Sequence, residues 1–201
     1  MAFTYFFRDQ HTLDLLVDHV MRSFSSPIRV WDAGCAMGPE PYTLAITFAE
    51  RMGYFAFKSL TIDATDLDGS NLFADIIANG IYDETELKRI PKAIFDKYFH
   101  PTSTPDRWQI DDRIRTRLRF HRHDLLTLQP VGDRYNLVLC KNVLLHLQPQ
   151  ERIQVIRMYH RVLVPGGFFA MEQTQKLPDE LTGLFEQVVE DAQLYRRLET
   201  S

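Results

Sequence analysis

Cysteine is scarce in this sequence: Cys35 and Cys140 are the two copies among 201 residues, and neither stands at metal-ligand or disulfide-framework spacing. That argues against a disulfide scaffold and predicts two reduced, buried thiols in a cytoplasmic chain. No apolar run approaches the roughly 18 residues of a membrane span, and the opening MAFTYFFRDQ lacks the basic, apolar, small-residue order of a secretory signal. A soluble intracellular protein is expected, with no membrane insertion. Positive charge is not in excess either. With 23 Lys and Arg against 27 Asp and Glu, the formal charge is -4, which disfavours bulk attraction to nucleic acid or anionic lipid. The histidines show no ligand spacing with cysteines or acids, so no metal is assigned. There is no internal repeat and no low-complexity tract.

What is present reads as an ordinary globular composition, 45% apolar and 25% charged, long enough for one domain with a small inserted lobe. Leu13, Leu15, Leu16, Val20 and Met21 recur at helical spacing over residues 10–25. Residues 28–32 form a short β-rich run that stops at Ala33-Gly34-Cys35-Ala36-Met37-Gly38, followed by Pro39-Glu40-Pro41 and a helical stretch to about Met52. A second strand over residues 60–65 ends at Asp66 and Asp68, and residues 70–78 read as its helix. Alternation of this kind implies a parallel sheet with helices on both faces. Further strands are expected at 118–123, at the nearly continuous apolar run 135–140, and at 168–171 after a Pro165-Gly166-Gly167 turn, with a helix at 150–163. Residues 184–198 are expected to form an antiparallel hairpin, with a helix as the competing reading. The stretch from about 80 to 118 is too long for a simple connection and predicts a small subdomain. The expected organisation is a leading linker and helix over residues 1–27 and the main α/β domain over 28–201, with that insert.

The strand, glycine turn and helix are the informative constellation. Glycines let a ligand approach backbone amides, and the helix N-terminus offers partial positive charge. The run from Asp32 to Gly38 is closer to the D-x-G-x-G-x-G form of adenosylmethionine enzymes than to a dinucleotide loop, although Ala36 replaces the middle glycine. Asp66, at the end of the second strand, is placed to accept both ribose hydroxyls of an adenosine. Glu40 lies in the first turn of the following helix, where the dipole favours a carboxylate; pointed inward, it meets an ammonium or sulfonium charge. Pro39 suits the first helical position.

Thr4-Tyr5-Phe6-Phe7-Arg8-Asp9, the run from Ala33 to Thr43, Ala64-Thr65-Asp66-Leu67-Asp68 and Cys140-Lys141-Asn142-Val143 resemble, in order, the signatures of the CheR-type chemotaxis-receptor methyltransferases. Gly80-Ile81-Tyr82, Tyr98-Phe99 and Pro165-Gly166-Gly167 fall where that family has matching residues, and the similarity runs from about Thr4 to Tyr195. The resemblance implies a Rossmann-like class I fold with a small inserted β-subdomain and the cofactor S-adenosylmethionine, leaving S-adenosylhomocysteine. It further implies cofactor contacts from Thr4, Arg8, Gly34, Glu40 and Asp66, with Asp124 and Leu125 flanking the adenine and Asn142 and Val143 closing the site. The implied product is a glutamate γ-methyl ester on the cytoplasmic helices of a methyl-accepting chemotaxis receptor. A glutamate carboxylate, with a reference pKa of about 4.3, needs no general base to attack a methyl sulfonium. Arg8 is therefore cast as the group that positions the acceptor, because a cation gripping too tightly would stabilise the ground state more than the transition state.

Departures from the family pattern are Pro39 for a glutamate, Asn136 for a strand acid, Lys141 for arginine, His146 for tyrosine and Thr174-Gln175 for Ser-Glu. Lys141, His146 and Gln175 are expected on the acceptor side, where His146 would donate a hydrogen bond to the acceptor carboxylate or simply face solvent. The family carries a helical domain ahead of its first motif, whereas this sequence starts almost at that motif. Two alternatives stay open: a methyltransferase for a small-molecule acceptor, and a catalytically weak cofactor-binding signalling module. Finally, Arg113, Arg115, Arg117, Arg119, His121 and His123 alternate with other residues. Period two would put these cations on one strand face, for docking acidic receptor helices or as a solvated face balanced by Asp106, Asp111 and Asp112.

Overall fold

The computed structural model describes residues 4–199. The chain runs through α1 (Gln10–Ser23), β1 (Arg29–Ala33), α2 (Pro39–Arg51), a short α3 (Tyr54–Phe57) and β2 (Thr61–Asp66). It continues with α4 (Phe73–Asn79), β3 (Ile81–Asp83), α5 (Glu84–Leu87), α6 (Lys92–Tyr98), β4 (Phe99–Pro101), β5 (Arg107–Ile110) and α7 (Asp112–Arg115). Then follow β6 (Leu118–Arg122), β7 (Tyr135–Cys140), α8 (Pro149–Val162), β8 (Leu163–Met171), β9 (Phe185–Gln187) and β10 (Leu194–Arg197).

Seven strands form one sheet in the order β6-β2-β1-β7-β8-β10-β9. The pairs from β6 to β8 are parallel, while β10 runs antiparallel to both β8 and β9. The expected hairpin over 184–198 is therefore what forms. The chain moves outward on one side of β1 through β2 and β6, then returns to its other side at β7. That reversal opens a crevice at the carboxyl ends of β1 and β7, where ligands of doubly wound sheets bind.

The continuous apolar run of β7 is explained by burial on both faces. Leu137 and Leu139 pack into one core with Val30, Phe168, α1 and α2, whereas Val138 and Cys140 pack into a second with Trp31, Phe169 and α8. Trp31 is fully buried in the second of these cores, and its indole N–H is satisfied by Thr65 Oγ1 at 2.9 Å. Cys35 and Cys140 are both unpaired thiols and buried. Among the described residues no helix is long and apolar enough to cross a membrane.

Between α4 and β6 lies a separate three-stranded antiparallel sheet, β3-β5-β4. It does not have a core of its own. Tyr82, Tyr98, Phe99 and Ile110 belong to the same apolar cluster as α1 and α2, and Phe6, ahead of α1, meets Tyr82 and Phe99 edge-on at 4.9 and 5.7 Å.

The alternating cations do not share a strand face. Asp111 caps the turn α7 by accepting from the Arg113 N–H at 2.8 Å, so Arg113 and Arg115 lie on helix rather than strand. Arg113 is bound to the Asp111 carboxylate at 2.9 Å, Arg115 donates to the carbonyls of Ala78 and Asn79 in the last turn of α4, and Arg117 donates to the Lys58 carbonyl. Within β6, Arg119 and His121 do share a face, and His121 reaches the buried Asp63 at 3.2 Å. The helical turn breaks the period of two because local capping by Asp111 outcompetes extension there.

Candidate active site

The glycine turn is built by backbone conformation before any side chain acts. Gly34 and Gly38 have φ of 105° and 100°, values that a side chain strongly disfavours. The N–H groups of Gly34 and Cys35 both donate to the Thr65 carbonyl, at 2.7 and 3.0 Å, which anchors the turn to the end of β2. Ala36, in place of a glycine, adopts φ 48°, and its N–H donates to Asp66 Oδ2 at 2.9 Å. The other oxygen of Asp66 accepts from the Asp68 N–H at 3.2 Å. Two amides thus fix the carboxylate, and each oxygen keeps a further lone pair for the crevice it lines.

A cavity of about 510 Å³ opens over this turn, a size typical of small-molecule sites. Gly34 and Ala36 form its floor, with Glu40 from the first turn of α2 and Thr65, Asp66 and Leu67 at the end of β2. His123, Asp124, Leu125 and Leu126 follow β6, and Lys141, Asn142, Val143, His146 and Leu147 follow β7. Thr4 and Arg8 come from the segment ahead of α1. Every residue that the resemblance implied as a cofactor contact, together with His146, therefore lines this one cavity, whereas Gln175 does not. His123, Leu67, Leu126 and Leu147 were not foreseen; their signal was position alone, just beyond parallel strands on the crevice side. Asp124 also caps the turn after β6, accepting from the Leu126 N–H at 2.9 Å.

The electrostatics differ from expectation at Lys141. Its side chain is 2% exposed, and its ammonium lies 3.0 Å from Glu40 Oε2 and 3.0 Å from Asp9 Oδ2. Lys141 is therefore turned into the protein and engaged by two carboxylates rather than presented to an acceptor. Burial alone would lower its pKa, but the charges of Glu40 and Asp9 outweigh it and hold the ammonium above its ordinary value. Gln175 is likewise engaged, accepting from Arg152 at 2.6 Å, and Asn136 accepts from the Arg29 N–H at 2.8 Å within the sheet. Beneath Glu40 sits Asp32, fully buried, with no hydrogen-bond partner on either carboxylate oxygen among the described residues. Burial, reinforced by the Glu40 charge, pushes its carboxyl well above the usual range.

The leading segment covers the cavity through several ties. Phe6 is fully buried, the Phe7 N–H donates to Thr43 Oγ1 at 3.0 Å, and Arg8 donates to Asn142 Oδ1 at 3.1 Å. Among the described residues no group of three or more His, Cys, Asp or Glu is arranged to hold a metal ion.

Residues 2–194 match the family described as CheR methyltransferase, SAM binding domain. The chain belongs to this family. Among curated proteins, it is 32% identical to the chemotaxis protein methyltransferase Cher2 of Pseudomonas putida, over 88% of this chain and 67% of that one. It is 28% identical to chemotaxis protein methyltransferase 1 of Vibrio cholerae, over 92% of this chain and 68% of the relative. Among solved structures, the N-methyltransferase NodS of Bradyrhizobium japonicum, in complex with S-adenosyl-L-homocysteine, superposes with a TM-score of 0.51. At 12% identity, covering 95% of this chain and 88% of that one, NodS speaks for the class I methyltransferase fold alone. The CheR-family cofactor is S-adenosylmethionine, and the cavity suits it. Carboxylates at Glu40 and Asp66 line the site, as an ammonium and a ribose diol require, and Leu125 and Val143 add apolar lining of the kind a planar base needs.

Proposed function

We propose that this S-adenosylmethionine-dependent methyltransferase esterifies glutamate side chains on the cytoplasmic helices of a chemotaxis receptor, acting in the cytoplasm. The observation that carries the reading is that Arg8, hydrogen-bonded to Asn142, lines the cavity together with Thr4 and His146. An anionic acceptor entering there meets a guanidinium able to bind a carboxylate through parallel N–H groups. In this reading Asp66 binds the ribose hydroxyls, Glu40 the ammonium, Leu125 and Val143 flank the adenine beside Asp124, and Thr4 and Gly34 complete the cofactor contacts. S-adenosylmethionine supplies an electrophilic methyl group.

The chain's own contribution is alignment and exclusion of water. Arg8 orients the acceptor carboxylate, and His146 in the same cavity lining donates a hydrogen bond to it. Leu126 and Leu147 strip water from the nucleophile. Once an ester has formed, the acceptor has lost its charge, so the Arg8 grip weakens and the product leaves.

Radiolabelled cofactor tests this directly. Purified protein incubated with receptor cytoplasmic fragments should place base-labile label on glutamate, and Arg8→Ala should reduce transfer far more than it reduces S-adenosylhomocysteine binding. Binding of S-adenosylhomocysteine without any base-labile transfer to receptor fragments would sink the glutamate reading and point to another acceptor.

A further inference from the structure

Two consecutive residues of the leading segment clasp two consecutive residues after β7: Arg8 bonds Asn142, and Asp9 bonds Lys141. The second pair is the unusual one. A lysine ammonium this deeply buried is costly unless matched closely by opposite charge, and the match here comes from two elements far apart in sequence, Asp9 ahead of α1 and Glu40 at the start of α2. Asp9 is half-exposed and has φ 52°, a left-handed conformation that a non-glycine residue adopts at a cost. Its position is thus maintained by partners, and Lys141 is the buried one.

We infer that Lys141 is a positioning residue that latches the leading segment over the cofactor pocket, so that closure of Thr4 to Asp9 and the placement of Glu40 depend on one ammonium. The inference rests on the cofactor occupying this cavity and goes beyond it. Lys141 takes Oε2 of Glu40 and thereby sets the carboxylate's rotation, and the second oxygen is the one presented to an incoming cation. The same ammonium fixes Asp9, next to Arg8, which lines the cavity. Cofactor grip and segment closure are then coupled, and by linkage each strengthens the other. A lysine that merely neutralised Glu40 would leave the segment independent.

The experiment is a double-mutant cycle on the whole chain. S-adenosylhomocysteine binding is measured by calorimetry for wild type, Asp9→Asn, Lys141→Met and the double variant, with amide exchange of residues 4–9 followed with and without the ligand. Each single change should weaken binding about tenfold and remove ligand-induced protection of residues 4–9, and the double variant should be little worse than either. Lys141→Arg, which preserves the charge, should recover most of the affinity. Wild-type affinity and protection in Asp9→Asn, or effects that simply multiply, would overturn the latch. Asp9→Asn decides alone if Lys141→Met fails to fold. Absence of S-adenosylhomocysteine binding by folded wild type would instead overturn the cofactor site, and the latch with it.

Discussion

Ala36 shows how a single residue carries both a cost and a function. Its φ of 48° is left-handed, a region that penalises a Cβ, and its N–H helps to fix Asp66. Ala36→Gly should therefore stabilise the chain by about 1 kcal/mol, read as a higher urea midpoint, without loss of S-adenosylhomocysteine affinity. Asp32 behaves oppositely. Because burial and Glu40 raise its pKa, the folded chain keeps a proton that an unfolded aspartate loses near pH 3.9. The folded state then binds more protons than the unfolded one, and this group's contribution falls as pH rises above that value. Asp32→Asn removes the dependence. The stability difference between variant and wild type should shift in the variant's favour from pH 4 to pH 8, and a constant difference would show that Asp32 is ionised in place.

At the scale of elements, the glycine turn tolerates little. A Cβ on Gly34 would lie 2.1 Å from Val143 Cγ2, and φ is 105°. Gly34→Ala should cost more than about 2 kcal/mol and abolish cofactor binding. Adding Val143→Ala should relieve the clash but recover only part of the loss, since the backbone strain stays. Chemical denaturation of the two variants separates the contributions. This turn, with β1, β2 and β7, was legible in the sequence because local signals coincide there: β-branched and apolar runs, glycines at the break and an acid at the strand end. The cation run misled for the converse reason, since a period of two says nothing about a helical turn capped by Asp111. Lys141 was read on the acceptor side because its partner Asp9 lies at the other end of the sequence, and pattern reasoning does not see across such a distance.

For the whole molecule, the shared core decides cooperativity. The small sheet packs into the same cluster as α1 and α2, so it should not unfold alone. Of the two tryptophans, Trp31 sits in the main sheet and Trp108 on β5, where its ring lies 4.7 Å from Phe95. In a Trp31→Phe variant the fluorescence of Trp108 should give the same urea midpoint as far-UV circular dichroism. An earlier fluorescence transition would show the small sheet melting first. The fold class was fully readable beforehand, whereas this sharing of one core was not, because it depends on Phe6, Tyr82 and Phe99 meeting in space.

The main sheet is open, and β6 and β9 are its two ends. An unpaired strand offers its amides and carbonyls to any other chain, and short length or projecting charge is what discourages such pairing. β9 spans three residues, and β6 carries Arg119 exposed on its outer course. Arg119 on this edge strand is therefore expected to discourage pairing with a second copy. Arg119→Val should leave S-adenosylhomocysteine binding unchanged while lowering the concentration at which light scattering detects self-association, and unchanged scattering would show that this edge is protected by other means.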